Sequence, residues 1–127
     1  MVALFSINLL QINCYAKSYK HYAKLDVVVT FYSPKDGDIN CDSDCSQTAF
    51  GKKPKSNRTV AISRSLLQKG IKSGTTIYIP KIGYRVVEDL MGKSVKGHAV
   101  DVSVDSKEKA FRLGKYNESI YLIISEN

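Results

Sequence analysis

Residues 82–102, IGYRVVEDLMGKSVKGHAVDV, decide how this chain is read. Val86 and Val87 are β-branched and lead into the acidic pair Glu88 and Asp89, so the first part reads as a strand ending on carboxylates. A glycine- and lysine-containing loop follows, carrying Gly92 and Lys96. Val100 and Val102 then flank Asp101 in a second strand. Two carboxylates brought by neighbouring strand ends across such a loop can meet in one site. Like charges held close cannot both ionise freely, and one is pushed towards the protonated form that general acid catalysis uses.

The flanking segments continue in the same style. Residues 25–32 form a β-branched run and predict a first strand. Residues 33–57 are rich in Gly, Asp, Ser, Lys and Pro and read as a long loop, a feature that in compact domains is usually functional. Strands are predicted over 59–62, 75–80, 84–88, 99–104 and 119–124, with a turn at 81–83. One helical turn over 65–70 closes on Gly70, and a second helix over 107–113 has Ser106 as N-cap and Gly114 past its end. Short strands, two small helices and no internal repeat indicate a mainly β domain, a small closed barrel.

At 127 residues the chain is one domain with enough length to bury a core. Its 43% hydrophobic and 24% charged content is that of an ordinary globular protein. No apolar run approaches the ~18 residues of a membrane helix, so no transmembrane segment is expected. The net charge is +7, and the 19 Lys and Arg are spread along the chain, with one cluster at 52–55 and another at Lys93 and Lys96. Nucleic-acid binding would call for interleaved aromatics and a reader motif, and neither is present. A solvated basic surface accounts for the charge, and attraction to an anionic wall polymer or membrane surface is its functional counterpart.

Residues 1–16, MVALFSINLLQINCYA, contain no charge and read as a signal peptide, with small residues near Ala16 as a cleavage pattern. A buried N-terminal strand is the alternative reading. Residues 17–24, KSYKHYAK, read as a basic arm before a domain spanning 25–125. With the first segment removed, the chain is exported to the periplasm, wall or medium and keeps two cysteines, Cys41 and Cys45. An even pair in an exported chain favours a disulfide. A metal at Cys41–Cys45 lacks further Cys or His ligands, so no metal and no cofactor are expected.

The motifs also carry a family likeness. Glu88, Asp89, Gly92, Val95, Lys96, Gly97, Val100 and Asp101 follow the signature of an acidic residue and Asp-Thr-Gly-Gly-Ala-Ile-Lys-Gly-Asn-Arg-Ile-Asp, with one residue inserted. Phe31 and Tyr32, residues 48–51 (TAFG), 58–62 (RTVAI), 74–79 (GTTIYI) and 110–114 (AFRLG) match further segments in order. Over residues 26–124 the chain thus resembles the three-aspartate (3D) domain of bacterial cell-wall proteins. That domain is similar to the catalytic barrel of membrane-bound lytic transglycosylase A and of spore and stationary-phase survival transglycosylases.

The resemblance implies a six-stranded double-psi β-barrel with one or two short helices. It implies a secreted peptidoglycan-active protein cleaving the MurNAc-GlcNAc bond, with Asp89 as general acid assisted by Asp101. Tyr32, Thr48, Gly51, Ser63, Gly92 and Lys96 fall at substrate-binding positions. The first of the family's three aspartates is Ser63 here, and the loop after Asp89 reads Leu90-Met91-Gly92 in place of Thr-Gly-Gly. Two outcomes stay open: an enzyme working with two carboxylates, or a non-catalytic glycan- or wall-binding barrel similar to expansins.

Overall fold

The computed structural model describes residues 21–35 and 47–124. Six strands close into a barrel: β1 (His21–Tyr32), β2 (Thr59–Ile62), β3 (Thr76–Ile79), β4 (Gly83–Leu90), β5 (Ala99–Ser103) and β6 (Tyr116–Ile124). Helix α1 (Arg64–Gln68) follows β2, and helix α2 (Lys107–Leu113) follows β5. The fold is mainly β, as the spacing of strands and turns in the sequence predicts. Among the described residues, no helix is long and apolar enough to cross a membrane.

Around the barrel the order is β1-β5-β2-β4-β3-β6. β1 runs parallel to β5 and β2 parallel to β4, while the remaining neighbours are antiparallel. An up-and-down barrel has antiparallel neighbours throughout, so the parallel pairs require connections that cross the barrel. Exchanging β1 with β4, β2 with β5 and β3 with β6 reproduces every pairing with its sense. The chain is therefore two interlocked β-β-α-β halves about a pseudo-twofold, which is the double-psi arrangement.

Alternation fills the interior. Val27 and Val29, Val60 and Ile62, Ile77 and Ile79, and Val100 and Val102 point inward at every second position and are buried. Leu66 of α1 adds a fully buried side chain to the same cluster. Burying each such side chain contributes about 1.5–3 kcal/mol, which is the main drive for closure. On the outer surface Tyr78 meets Tyr84 and Tyr121, with ring planes at 59° and 77°, so the three present edges rather than one flat platform.

Two strands begin earlier than the sequence pattern predicts. β1 already starts at His21 and β6 at Tyr116, because they pair with each other from His21↔Ile124 to Val29↔Tyr116. Backbone hydrogen bonding recruits polar positions such as Lys24, Asp26, Asn117 and Glu118 that show no hydrophobic alternation. Residues 21–24 accordingly belong to the barrel and not to a separate basic arm. The helix ends follow expectation: Ser106 accepts a hydrogen bond from the Lys109 N–H at 3.1 Å, and Gly114 takes a left-handed φ of 75°. The expected signal segment, Cys41 and Cys45 lie outside the described residues.

Candidate functional site

Strand register assembles the two aspartates. Asp101 of β5 pairs with Thr30 on one side and Ala61 on the other, and Ala61 in turn pairs with Asp89 of β4. Thr30, Asp101, Ala61 and Asp89 thus form one row across four adjacent strands. Their chain neighbours Val29, Val60, Ile62, Val100 and Val102 point into the core, so the row faces the outside of the barrel. Ala61 contributes only a methyl group between the two carboxylates.

A β-bulge places Asp89 in that row. Val60 pairs with Val87 and Ala61 with Asp89, which leaves Glu88 as the extra residue. In a regular ladder Glu88 would face Ala61, and Asp89 would point into the core beside Ile62. Glu88 is instead buried at 7% exposure, accepting a hydrogen bond from the Thr59 hydroxyl at 3.0 Å and pairing with Arg58 at 3.3 Å. Its charge is satisfied there, so Glu88 is an anchor for the bulge and Asp89 is the carboxylate at the site. The acidic pair stands within β4, which runs on to Leu90, rather than just past a strand end.

The two carboxylates differ in surroundings. Burial, above all, and the nearby Asp89 raise Asp101 to about 6, against an opposing hydrogen bond from the Thr30 hydroxyl at 2.9 Å. Asp89 Oδ1 accepts the backbone N–H of Ala49 at 2.9 Å and of Leu90 at 2.7 Å. The first of these ties the loop over 48–52 to the site. The resolved effect of one aspartate on the other is that of Asp89 on Asp101.

Tyr32 belongs to the same face, two residues along β1 from Thr30. Burial raises its phenol, and Asp89, Asp101 and Glu88 add to the rise in that order, so all three carboxylates lie within its electrostatic reach. Its hydroxyl is buried and has no hydrogen-bond partner among the described residues. The buried phenol keeps its proton beside the carboxylates.

The other expected residues divide between turn and network. Thr48 is buried, and its hydroxyl oxygen accepts the N–H of Phe50 at 3.3 Å and of Lys52 at 3.1 Å, so it shapes the turn that Asp89 holds. Gly51 takes φ 74° in that turn, a left-handed conformation natural to glycine. Gly92 and Lys96 are exposed on the connection between β4 and β5. Among the described residues, none of these four hydrogen-bonds to Asp101 or Tyr32; Thr48 and Gly51 reach the acidic pair through their turn.

Ser63 is fully buried and committed elsewhere. Its oxygen accepts the Ala99 N–H at 3.1 Å and lies 3.1 Å from Ser65 Oγ. Ser65 donates to the Gly97 carbonyl at 2.6 Å and meets His98 Nδ1 at 2.8 Å. Ser65 has one proton and gives it to Gly97, so His98 donates Nδ1–H to Ser65 and cannot act as its base. The histidine reaches Ser63 through Ser65, a link the sequence alone does not reveal, and the network is structural rather than nucleophilic. Among the described residues no hydrogen bond joins Ser63 to Asp89 or Asp101.

Among the described residues, no group of three or more His, Cys, Asp and Glu side chains is placed to hold a metal ion. Thr30, Ala61 and the bulge at Glu88 are the parts of the site that sequence reading misses. No protein-family model matches the chain, and no curated protein matches it.

Proposed function

We propose that the barrel is an exported, peptidoglycan-active protein of lytic-transglycosylase type, with Asp89 and Asp101 as its acid–base pair. The observation that carries the reading is the single row in which the two carboxylates flank the Ala61 methyl, with Asp101 raised to about 6. Such a pair retains a proton in mildly acidic conditions, which suits protonation of a glycosidic oxygen. In this reading Asp89 delivers the proton as the C1–O bond breaks, with Asp101 as the protonatable neighbour that limits negative charge at the site. The sugar's own 6-hydroxyl then attacks the anomeric carbon and gives its proton back to the pair, leaving a 1,6-anhydro product. No water is consumed, so one acid–base centre suffices, in contrast to hydrolysis with two separated carboxylates.

Tyr32 supports the reading as a protonated phenol that has both carboxylates within its electrostatic reach. The test is digestion of purified peptidoglycan followed by mass spectrometry of the soluble fragments. Anhydromuropeptides are the expected product, and their absence after prolonged digestion at pH 5 would overturn the catalytic assignment. A second reading, a glycan-binding barrel without turnover, is favoured by one observation: Ser63 turns its hydroxyl into the Ala99–Ser65 network and supplies no third acid. Retention on sacculi without fragment release would establish it.

A further inference from the structure

Beside the acidic row lies a cavity of about 370 Å³ between the end of β1 and helix α2. Phe31 and Tyr32 form part of one wall, and Phe111 with Gly114 part of the other. Lys107 and Lys115 also line it, and among the described residues no carboxylate does. Its volume is at the lower end of the range for small-ligand sites, enough for one ring-sized unit.

Phe111 does not belong to the core. It is 75% exposed, and α2 buries none of its residues fully. Leaving a phenylalanine in water forgoes most of the ~1.5–3 kcal/mol its burial would contribute. An aromatic face at the lip of a cavity can recover part of this against the apolar face of a ring. The charged groups on its lining are the ammonium groups of Lys107 and Lys115, beside the hydroxyl-bearing Thr30 and Ser33. The complementary ligand has an apolar ring face and is rich in acceptors, with negative charge. An oligonucleotide would need a track of stacked aromatics, and this cavity offers one exposed ring at its lip.

We propose that this cavity is a subsite for a saccharide unit carrying a carboxylate, with Phe111 against the ring and Lys107 and Lys115 on the charge. It rests on the glycan reading above and adds a charge preference to it. The cavity shares Thr30 and Tyr32 with the acidic row, so a glycan reaching Asp89 would place a neighbouring unit here.

The experiment is calorimetric titration at pH 7 with two probes, a neutral N-acetylglucosamine tetramer and a disaccharide-peptide from peptidoglycan with its carboxylates intact. Wild type should bind the carboxylate-bearing probe about tenfold tighter, the sum expected from two partly exposed ion pairs. Lys107→Ala/Lys115→Ala should bring the ratio close to one while leaving affinity for the tetramer unchanged. Phe111→Ala should weaken both probes about fivefold. All three side chains are exposed, so unchanged melting temperatures should confirm intact folding. A tenfold preference that survives in the lysine variant, or wild type without preference, overturns the subsite while tetramer binding still supports the glycan reading. Failure of wild type to bind either probe overturns both.

Discussion

Thr30 donates its hydroxyl hydrogen to Asp101 Oδ1 at 2.9 Å across the parallel β1–β5 pair. That bond favours the ionised carboxylate, but burial with Asp89 nearby outweighs it and holds Asp101 at about 6 instead of 3.8. The bond therefore tempers the site without deciding its charge.

A stability consequence follows for Asp101. Its folded value lies above its unfolded one, so the native state keeps the proton when the unfolded chain has lost it. Stability should be greatest below about pH 4 and fall as pH rises to about 6, by roughly 2–3 kcal/mol from this group. Asp101→Asn should remove that decline and melt higher than wild type at pH 7–8. Urea midpoints from pH 4 to 8 check this, and an unchanged slope in the variant would contradict the burial argument.

Asp89→Asn should lower anhydromuropeptide release by at least about a hundredfold. An asparagine oxygen can still accept the Ala49 N–H, so the turn over 48–52 should stay in place. Circular dichroism and melting temperature close to wild type, beside lost release, are the expected result. Undiminished release would move the chemistry away from Asp89.

Tyr32→Phe separates binding from folding. The phenol oxygen has no hydrogen-bond partner among the described residues, so removing it relieves a buried unsatisfied group and should leave stability unchanged or raise it by up to ~1 kcal/mol. Glycan affinity should fall by about five- to tenfold, measured by titration with a soluble muropeptide. A loss of stability with no change in affinity would show the hydroxyl to be structural.

Ser63→Ala should do the reverse. It leaves the buried Ala99 N–H without its acceptor, a loss of ~1–3 kcal/mol in denaturant titration. Glycan affinity should not change, because the hydroxyl is turned into the Ser65 network. A selective drop in affinity at constant stability would instead restore Ser63 to the binding surface.

The barrel was legible because its determinants are local: β-branched runs, Gly-terminated turns and the Ser106 cap each declare themselves within a few residues. The starts of β1 and β6 were not, since their polar first residues are strand only by pairing with one another. The aspartates at 89 and 101 could be picked from sequence, but not the means that align them. Whether Glu88 or Asp89 faces Ala61 depends on a bulge, a one-residue choice that alternation alone leaves undetermined. The rise at Asp101 depends on its burial, and the Ser65–His98 contact joins residues 33 positions apart. Cys41 and Cys45 lie outside the described residues, so their disulfide keeps the standing of an expectation.

The pseudo-twofold has a consequence for how the chain reaches its native state. Each of the six neighbour pairs joins a strand from the β1–β3 half to one from the β4–β6 half. As the chain emerges from a ribosome or an export channel, its first three strands have no native partner until the second three follow. Apart from the β3–β4 hairpin, ladder formation must close long loops before hydrogen bonds repay them, which predicts slow, all-or-none folding with no stable half-barrel. The same arrangement makes the halves each other's template. Cut at the exposed turn around Lys81, the two fragments should each be unfolded alone and regain the barrel only when mixed.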